Sequence, residues 1–183
     1  VERALANATA AQPDWNATPA AGRAAILEKA AELLEAQTAK YMALCTAEAG
    51  KSLPDGIAEV REAVDFLRYY AMQAREKFAD VALPGPTGES NVLQLHGRGV
   101  FVCISPWNFP LAIFLGQVAA ALAAGNSVIA KPAEQTTLIG FEAVKLLHEA
   151  GIPTDVLQYL PGDGATVGAA LTADPRVAGV AFT

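Results

Sequence analysis

The second half of the chain alternates short apolar runs with helix-like segments, and this alternation limits the possible folds more than any other feature. Apolar runs predict buried strands at residues 100–104, 127–130, 156–160 and 177–182. The segments between them predict helices at residues 111–124, about 136–150 and about 165–172. Strands and helices in this order join through right-handed βαβ crossovers and form a parallel sheet. We therefore predict an α/β fold with a Rossmann-like sheet over residues 100–183.

Residues 1–82 are predicted to be helical. Thr18-Pro19 is a typical helix start, with Thr as the N-cap, and an apolar repeat from there predicts one helix that ends at Gly50. A second helix is predicted to begin at Pro54-Asp55. Its apolar stripe comprises Ile57, Val60, Val64, Leu67, Ala71, Ala74 and Phe78. The charged residues assigned to its other, mostly solvated faces are Glu59, Arg61, Asp65, Arg68 and Arg75.

A linker separates these two parts of the chain. Residues 83–88 are rich in Pro and Gly and predict a loop, residues 91–96 alternate apolar and polar side chains as an exposed strand would, and residues 97–99 predict a turn. The predicted organisation is a helical segment at 1–82, a linker at 83–99 and a partial Rossmann-like domain at 100–183.

Composition excludes several functional classes. A net charge of −6 argues against nucleic acid as a partner, because phosphate neutralisation needs clustered Lys and Arg. The two cysteines, Cys45 and Cys103, have no CxxC spacing, which favours a reducing, cytoplasmic environment. His96 and His148 stand alone, so no metal site is predicted.

No membrane-spanning segment is predicted. The most apolar stretch, residues 109–130, is interrupted by Pro110, Gln117 and Gly125, and a buried helix followed by a buried strand explains it better. The chain begins at Val1 and stops inside an apolar run, so we expect a piece of a longer protein. The unfinished sheet is also expected to associate with other surfaces.

The first candidate functional residue is Asn108, in the loop Ser105-Pro106-Trp107-Asn108-Phe109-Pro110. This loop follows a predicted strand, and ligands bind outside the carboxyl ends of strands in open α/β sheets. Two prolines and a tryptophan stiffen it. A rigidly held amide there is suited to donate a hydrogen bond to an oxygen that gains negative charge during a reaction. Trp107 is either a platform for ligand stacking or an anchor for the loop.

Lys131 and Glu134 follow the next strand and are expected at the same edge of the sheet. Together they would suit ribose hydroxyls, with the carboxylate accepting and the ammonium donating. The alternative is a surface ion pair with a charge at a helix N-terminus. Gly162, Gly164 and Gly168 lie between a strand and a helix, but their spacing departs from the GxGxxG fingerprint, so a tight connection is the simpler interpretation.

Neither cysteine is predicted to be a nucleophile. Cys103 lies in the middle of an apolar strand with no neighbouring base, and burial raises the pKa of a thiol and makes it inert. Cys45 lies on the apolar stripe of its helix. Both are expected to fill space in the core.

Four separated motifs together resemble the aldehyde dehydrogenase superfamily. They occupy residues 102–110, 125–134, 160–164 and 180–183, and their order and spacing fit across residues 19–183. Residues 48–51 and 55–71 further resemble the dehydrogenase domain of the bacterial proline utilization A family, which oxidises L-glutamate γ-semialdehyde (Δ1-pyrroline-5-carboxylate).

The resemblance implies a role for each matching residue and NAD as the cofactor. Asn108 would be the catalytic oxyanion donor, while Lys131 and Glu134 would bind the adenosine ribose. A carboxylate at Glu134 would repel a 2′-phosphate, so NAD is favoured over NADP. Glu62 would meet the ammonium group of the substrate. The residues implied to line the cofactor cleft or to let the adenine side approach are Ile104, Ser105, Pro106, Trp107, Gly164 and Gly168.

The implied function is NAD-dependent oxidation of glutamate γ-semialdehyde to glutamate in proline catabolism. In the family pattern the nucleophilic Cys and the general-base Glu come after the position of Thr183, so residues 1–183 alone are expected to be inactive. Expected partners are the small aldehyde, further copies of the enzyme and a linked proline dehydrogenase domain. Two alternatives stay open: another aldehyde dehydrogenase, such as one for succinate semialdehyde, and a non-catalytic structural or interaction module of the same fold.

Overall fold

Helices occupy the first part of the computed structural model, which describes residues 1–183. They are α1 (Glu2–Ala17), α2 (Ala20–Ala36), α3 (Thr38–Ala49) and α4 (Leu53–Lys77). The chain between α1 and α2 is short, and Thr18 ends α1 there by donating its backbone N–H to the carbonyls of Asp14 and Trp15. The prediction that Thr18 is the N-cap of the following helix is therefore wrong, because that position is held by Pro19.

The single helix predicted from Pro19 to Gly50 is in fact two helices. Gln37, at φ −107° and ψ 19°, ends α2 and is the N-cap of α3. Leu34 and Tyr41 are both buried on either side of the break. The apolar period continues across the kink, and this continuity hid the break from the sequence pattern. Gly50, at φ +65°, ends α3 in the left-handed region as predicted.

Helix α4 begins at Leu53, next to the start that was predicted at Pro54-Asp55. The Ser52 hydroxyl caps it by accepting a hydrogen bond from the Asp55 N–H at 3.4 Å. The assignment of Glu59 to a solvated face is wrong, since Glu59 is only 1% exposed. It lies three residues after buried Gly56 and four before buried Ala63, on the side that faces the rest of the molecule. Ile57, predicted to be on the apolar stripe, is 44% exposed.

A small exposed ribbon follows the helices. Strand β1 (Val81–Leu83) pairs antiparallel with β2 (Asn91–Leu93), and every residue of both strands is exposed. The helical prediction is therefore wrong for residues 78–82, because α4 ends at Lys77 and β1 begins at Val81. The Pro- and Gly-rich segment between the two strands is a loop, as its composition indicated.

The remaining elements are the four strands of a parallel sheet and the helices that connect them. In chain order they are β3 (Val100–Ile104), α5 (Ala112–Ala123), β4 (Ser127–Lys131), α6 (Thr137–Ala150), β5 (Leu157–Tyr159), α7 (Ala169–Ala173) and β6 (Val177–Phe182). The strand order is β5-β4-β3-β6, and all pairings are parallel. A π-helical turn at Gly164–Gly168 precedes α7, where the sequence predicted the start of an ordinary helix. The predicted α/β class is confirmed.

Both faces of this sheet are covered. Cys103 and Val128 point to the larger core, which includes residues of α2, α4, α5 and α6, whereas Val102 and Ile129 point to a smaller core with α1 and α7. Alternate residues of each strand thus serve opposite layers, as the period of a strand requires. None of the helices combines the length and the apolar character that a membrane span needs.

Candidate functional site

The candidate site lies at the carboxyl edge of the parallel sheet. From β3 the chain proceeds outward through β4 and β5 and then returns to place β6 on the other side of β3. The strand order therefore reverses at β3, and the loop that leaves this strand lies at the switch point where ligands bind in open α/β sheets. This loop is the segment from Ser105 to Pro110 that contains Asn108.

The Asn108 loop is fixed at both ends and open in the middle. Ser105 is 5% exposed, and its N–H donates to the Lys131 carbonyl at 3.2 Å, which extends the β3–β4 pairing beyond Ile104. Pro110 is buried at the other end. Between them Trp107 and Asn108 are exposed. The Asn108 carboxamide neither donates nor accepts a hydrogen bond within the protein. The amide is thus free to bind a ligand. Because Trp107 is 54% exposed, its side chain does not anchor the loop in the core.

The N-terminus of α5 is capped by a side chain from another helix. Glu59 Oε1 accepts hydrogen bonds from the N–H groups of Leu111 and Ala112, each at 2.9 Å. A carboxylate there satisfies backbone donors that have no partner inside the helix and complements the helix dipole. Glu59 Oε2 lies 2.7 Å from Lys51 Nζ, and the same Nζ lies 4.0 Å from the centre of the Phe109 ring.

Lys131 and Glu134 do not pair with each other, so the predicted alternative of a surface ion pair is wrong. Lys131 is 4% exposed, and its Nζ donates to the Pro132 carbonyl at 3.3 Å. Glu134 is exposed, and its Oε1 accepts a hydrogen bond from the Gly164 N–H at 3.0 Å. The other oxygen, Oε2, accepts none from the protein. It is available to a hydroxyl donor.

The glycine turn after β5 completes this cluster. Asp163 Oδ1 accepts the Thr166 N–H at 2.7 Å, and the hydrogen bonds from Thr166 lower the pKa of the Asp163 carboxyl. A Cβ added to Gly168 would lie 3.7 Å from Lys131 Cε, whereas one added to Gly164 would meet nothing within 4 Å. The structure therefore brings together Lys131, Glu134, Gly164 and Gly168, to which the resemblance gave roles at the adenosine side of the cofactor.

Glu62 lies apart from these residues, on α4. It is exposed, and with Asp65, Phe66 and Tyr69 it lines a groove of about 330 Å³. It follows Glu59 by three residues, nearly one helical turn along α4. Glu62 forms no hydrogen bond with Asn108.

The two cysteines are buried and unpaired. Burial raises the pKa of Cys103 to about 12. Burial, with a smaller effect from the Glu59 charge, raises the pKa of Cys45 to about 12 as well. Both thiols are therefore protonated at neutral pH, which supports their assignment to the core and not to catalysis.

An apolar cavity of about 500 Å³ lies between α4, α5 and β6. Phe66, Tyr70, Phe101 and Ala121 are among the residues that line it, and no charged side chain reaches it. A cavity without convergent polar groups offers little to orient a reacting molecule. The carboxyl edge of the sheet, where polar side chains meet, is the stronger candidate for a binding site.

Sequence reasoning missed the contacts that Lys51 and Glu59 make with residues 109–112, and the contact that Glu48 makes with α6. Glu48 caps α6 as Glu59 caps α5, since it accepts hydrogen bonds from the N–H groups of Leu138 at 2.9 Å and Ile139 at 2.7 Å. The spacing Gly56-Glu59-Ala63 was an available signal, because a carboxylate in line with two small residues marks a place where another element approaches α4.

The comparison with protein families agrees with this architecture. The family model described as the aldehyde dehydrogenase family matches residues 1–183. The chain belongs to the aldehyde dehydrogenase family. The sequence-based resemblance is thereby confirmed.

Individual members of the family are also similar to this chain. The chain is 57% identical over 183 residues to the bifunctional protein PutA of Salmonella typhimurium, covering 100% of this chain and 13% of that protein. A variant of Bradyrhizobium japonicum proline utilization A superposes with a TM-score of 0.96 at 62% identity, over 98% of this chain and 18% of that one.

A 1-pyrroline-5-carboxylate dehydrogenase from Thermus with bound NAD superposes with a TM-score of 0.91 at 40% identity, over 96% of this chain and 34% of that one. This chain thus spans about a third of the Thermus dehydrogenase and a smaller fraction of the bifunctional proteins.

Proposed function

We propose that this chain forms the cofactor-binding and oxyanion-stabilising part of an NAD-dependent dehydrogenase that oxidises L-glutamate γ-semialdehyde to glutamate in proline catabolism. The observation that carries the proposal is the exposed Asn108 carboxamide at the switch point of the sheet, linked by the β3–β4 pairing to Lys131. The names of the relatives, PutA and 1-pyrroline-5-carboxylate dehydrogenase, supply the substrate class.

The residues present fit the two hydroxyls of the adenosine ribose of a dinucleotide. Glu134 keeps one carboxylate oxygen without a hydrogen-bond partner, and the Lys131 ammonium makes a single long hydrogen bond to a neighbouring carbonyl. Gly168 leaves space beside the Lys131 side chain that a larger residue would fill. We assign Lys131 and Glu134 to the adenosine ribose, and Ile104, Ser105, Pro106 and Trp107 to the wall of the cleft.

In this proposal the chain positions the reactants and stabilises developing charge, and NAD, when bound, would supply the hydride acceptor. The Asn108 N–H group donates to the aldehyde oxygen as it gains negative charge under attack by a cysteine thiolate. A neutral amide held in place suits that task, because it needs no reorganisation when the charge forms. The thiolate and the general base are expected from residues outside this chain.

Glu62 is proposed to select the substrate. Its exposed carboxylate on α4 would attract the ammonium group of glutamate γ-semialdehyde, which succinate semialdehyde lacks. We also propose a cytoplasmic enzyme that forms homo-oligomers and is linked to a proline dehydrogenase domain, in keeping with the bifunctional relatives.

The test is an assay of the complete enzyme that contains this chain, with both semialdehydes and both nicotinamide cofactors. We expect a higher kcat/KM for glutamate γ-semialdehyde and for NAD. Glu62→Gln should raise KM for glutamate γ-semialdehyde and leave KM for succinate semialdehyde unchanged. Equal use of both aldehydes by the unaltered enzyme would contradict the proposed substrate, and preference for NADP would contradict the role of Glu134.

A further inference from the structure

A buried carboxylate holds the end of the loop that presents Asn108. Glu59, on α4, accepts hydrogen bonds from the N–H groups of Leu111 and Ala112, and its side chain has no exposed surface. A carboxylate removed from water needs an opposite charge as well as donors, because desolvation of an unpaired ion is strongly unfavourable. Some other residue must therefore supply that charge.

Lys51 supplies it from a fixed position. Its Nζ lies 2.7 Å from Glu59 Oε2, and its side chain is 13% exposed. The Lys51 backbone is held against the end of α3, since its N–H donates to the Cys45 carbonyl at 3.3 Å and its own carbonyl accepts from Thr46 Oγ1 at 2.9 Å. The left-handed Gly50 makes this sharp turn possible.

The same ammonium reaches the Asn108 loop directly. Lys51 Nζ lies 4.0 Å from the centre of the Phe109 ring, a distance at which a cation is attracted to an aromatic face. Phe109 follows Asn108 in sequence and is 39% exposed, so apolar packing alone does not fix its ring. One ion pair thus contacts the residue beside Asn108 and also caps the helix that follows the loop.

We infer that Lys51 and Glu59 are positioning residues that hold the Asn108 carboxamide in its working orientation. This inference rests on the proposed function, which gives that orientation a catalytic purpose. Neither side chain takes part in the chemical step. Their effect passes through Phe109 and through the first turn of α5, and a displacement of about 1 Å in a catalytic group can lower a rate by about 10²-fold.

The first test compares Lys51→Met with Lys40→Met in the complete enzyme. Lys40 is a matched control, because its Nζ also pairs with a carboxylate, Glu142 at 2.6 Å, and lies 5.2 Å from the Tyr41 ring, yet it has no contact with the Asn108 loop. The readouts are the single-turnover rate of NADH formation per folded active site and the Kd for NAD.

We expect Lys51→Met to slow NADH formation by about 10²-fold and to leave the Kd for NAD unchanged, since Lys131 and Glu134 are intact. Lys51→Arg, which keeps the charge and the cation over the ring, should restore most of the rate. Lys40→Met should have the rate of the unaltered enzyme. A full rate for Lys51→Met overturns the inference.

A double-mutant cycle with Asn108→Ala separates positioning from general stability. If Lys51 acts through Asn108, Lys51→Met should slow the Asn108→Ala enzyme little or not at all, because the group it positions is gone. Additive losses overturn the inference and leave the role of Asn108 standing. A full rate for Asn108→Ala alone would instead overturn the proposed function.

Phe109→Leu keeps the test decisive if Lys51→Met fails to fold. This variant removes the ring that the ammonium contacts and preserves the Lys51–Glu59 ion pair. Because Phe109 is 39% exposed, its replacement should lower the thermal unfolding midpoint little. We expect slower NADH formation with an unchanged Kd for NAD, and a full rate overturns the inference.

Discussion

Glu48, near the end of α3, accepts a hydrogen bond from the Ile139 N–H at the start of α6, with 2.7 Å between the two heavy atoms. A second oxygen of the same carboxylate accepts the Leu138 N–H at 2.9 Å. The helical segment thus caps a helix of the parallel-sheet layer with a charged side chain, and it does so again at α5 through Glu59. These polar contacts join the two parts of the chain in addition to the apolar core that they share.

Glu48→Ala is expected to weaken the start of α6. Loss of a charged acceptor at a helix N-terminus costs about 1–2 kcal/mol, because two backbone donors lose their partner. The measurement is hydrogen exchange in the complete enzyme, where the amides of Leu138 and Ile139 should exchange about tenfold faster. Glu32→Ala is the control, since Glu32 is exposed and makes no hydrogen bond. Equal exchange in the two variants would contradict the capping role.

Glu59→Ala is expected to be much more harmful than Glu142→Ala. The Glu59 side chain is fully buried, so its loss leaves Lys51 and two backbone N–H groups without a partner, at a cost of about 3–5 kcal/mol. Glu142 pairs with Lys40, which is 43% exposed, and such pairs contribute about 0–1 kcal/mol. Thermal unfolding of the two variants checks the difference. Similar unfolding midpoints would show that burial does not distinguish the pairs.

Neither cysteine of this chain should react with alkylating reagents in the folded enzyme. The pKa of both Cys45 and Cys103 is raised to about 12, mainly by burial. Iodoacetamide at pH 8, followed by peptide mass spectrometry, should leave both peptides unmodified until a denaturant is added. Rapid labelling of either cysteine in the native enzyme would show that its thiol is accessible.

The same raised pKa values predict a loss of stability in alkali. The unfolded thiols ionise near pH 9, while the folded thiols resist ionisation up to about pH 12. Their contribution to stability is therefore complete below pH 9 and is lost as the pH rises towards 12. Replacing both cysteines with Ala should reduce the alkaline dependence of the unfolding midpoint. An unchanged dependence would contradict this assignment.

Gly168→Val is expected to weaken NAD binding without loss of the fold. Even a single added Cβ at Gly168 would lie in ordinary contact with Lys131 Cε at 3.7 Å, so the larger side chain should fill the space beside that lysine. Gly22→Val in α2 is the matched control. A Cβ added at Gly22 would lie 3.6 Å from Thr18 Cγ2, and Gly22 has no contact with Lys131 or Glu134. Calorimetric titration with NAD should show a higher Kd for Gly168→Val alone, and equal values would contradict the assignment of Gly168.

Strand and helix order in the second half of the chain were predictable, because buried parallel strands are short apolar runs separated by clear turn residues. Strand β6 has the predicted bounds, and α5 is shorter than predicted by one residue at each end. The break at Gln37 was not predictable from the apolar period, which continues from Leu34 to Tyr41 in register.

The candidate site was only partly predictable, because some of its contacts join residues that are far apart in sequence. Loop residues such as Asn108 and Lys131 follow strands directly, so the sheet topology fixes their edge once the strands are known. Glu59 and Lys51 contact residues of the Asn108 segment that lie more than 50 positions away in sequence. The spacing Gly56-Glu59-Ala63 signals that some element approaches α4, but it does not identify that element. Charged residues on helices are usually solvated, and that general rule fails where a helix N-terminus needs a carboxylate.

The most direct test of the account is the single-turnover rate of NADH formation by Asn108→Ala in the complete enzyme, at saturating NAD and aldehyde. Removal of one oxyanion donor should slow the step by about 10²–10³-fold, and the Kd for NAD should stay the same because the ribose-binding residues are untouched. A rate equal to that of the unaltered enzyme would contradict the assignment of Asn108, and with it the proposed role of this chain.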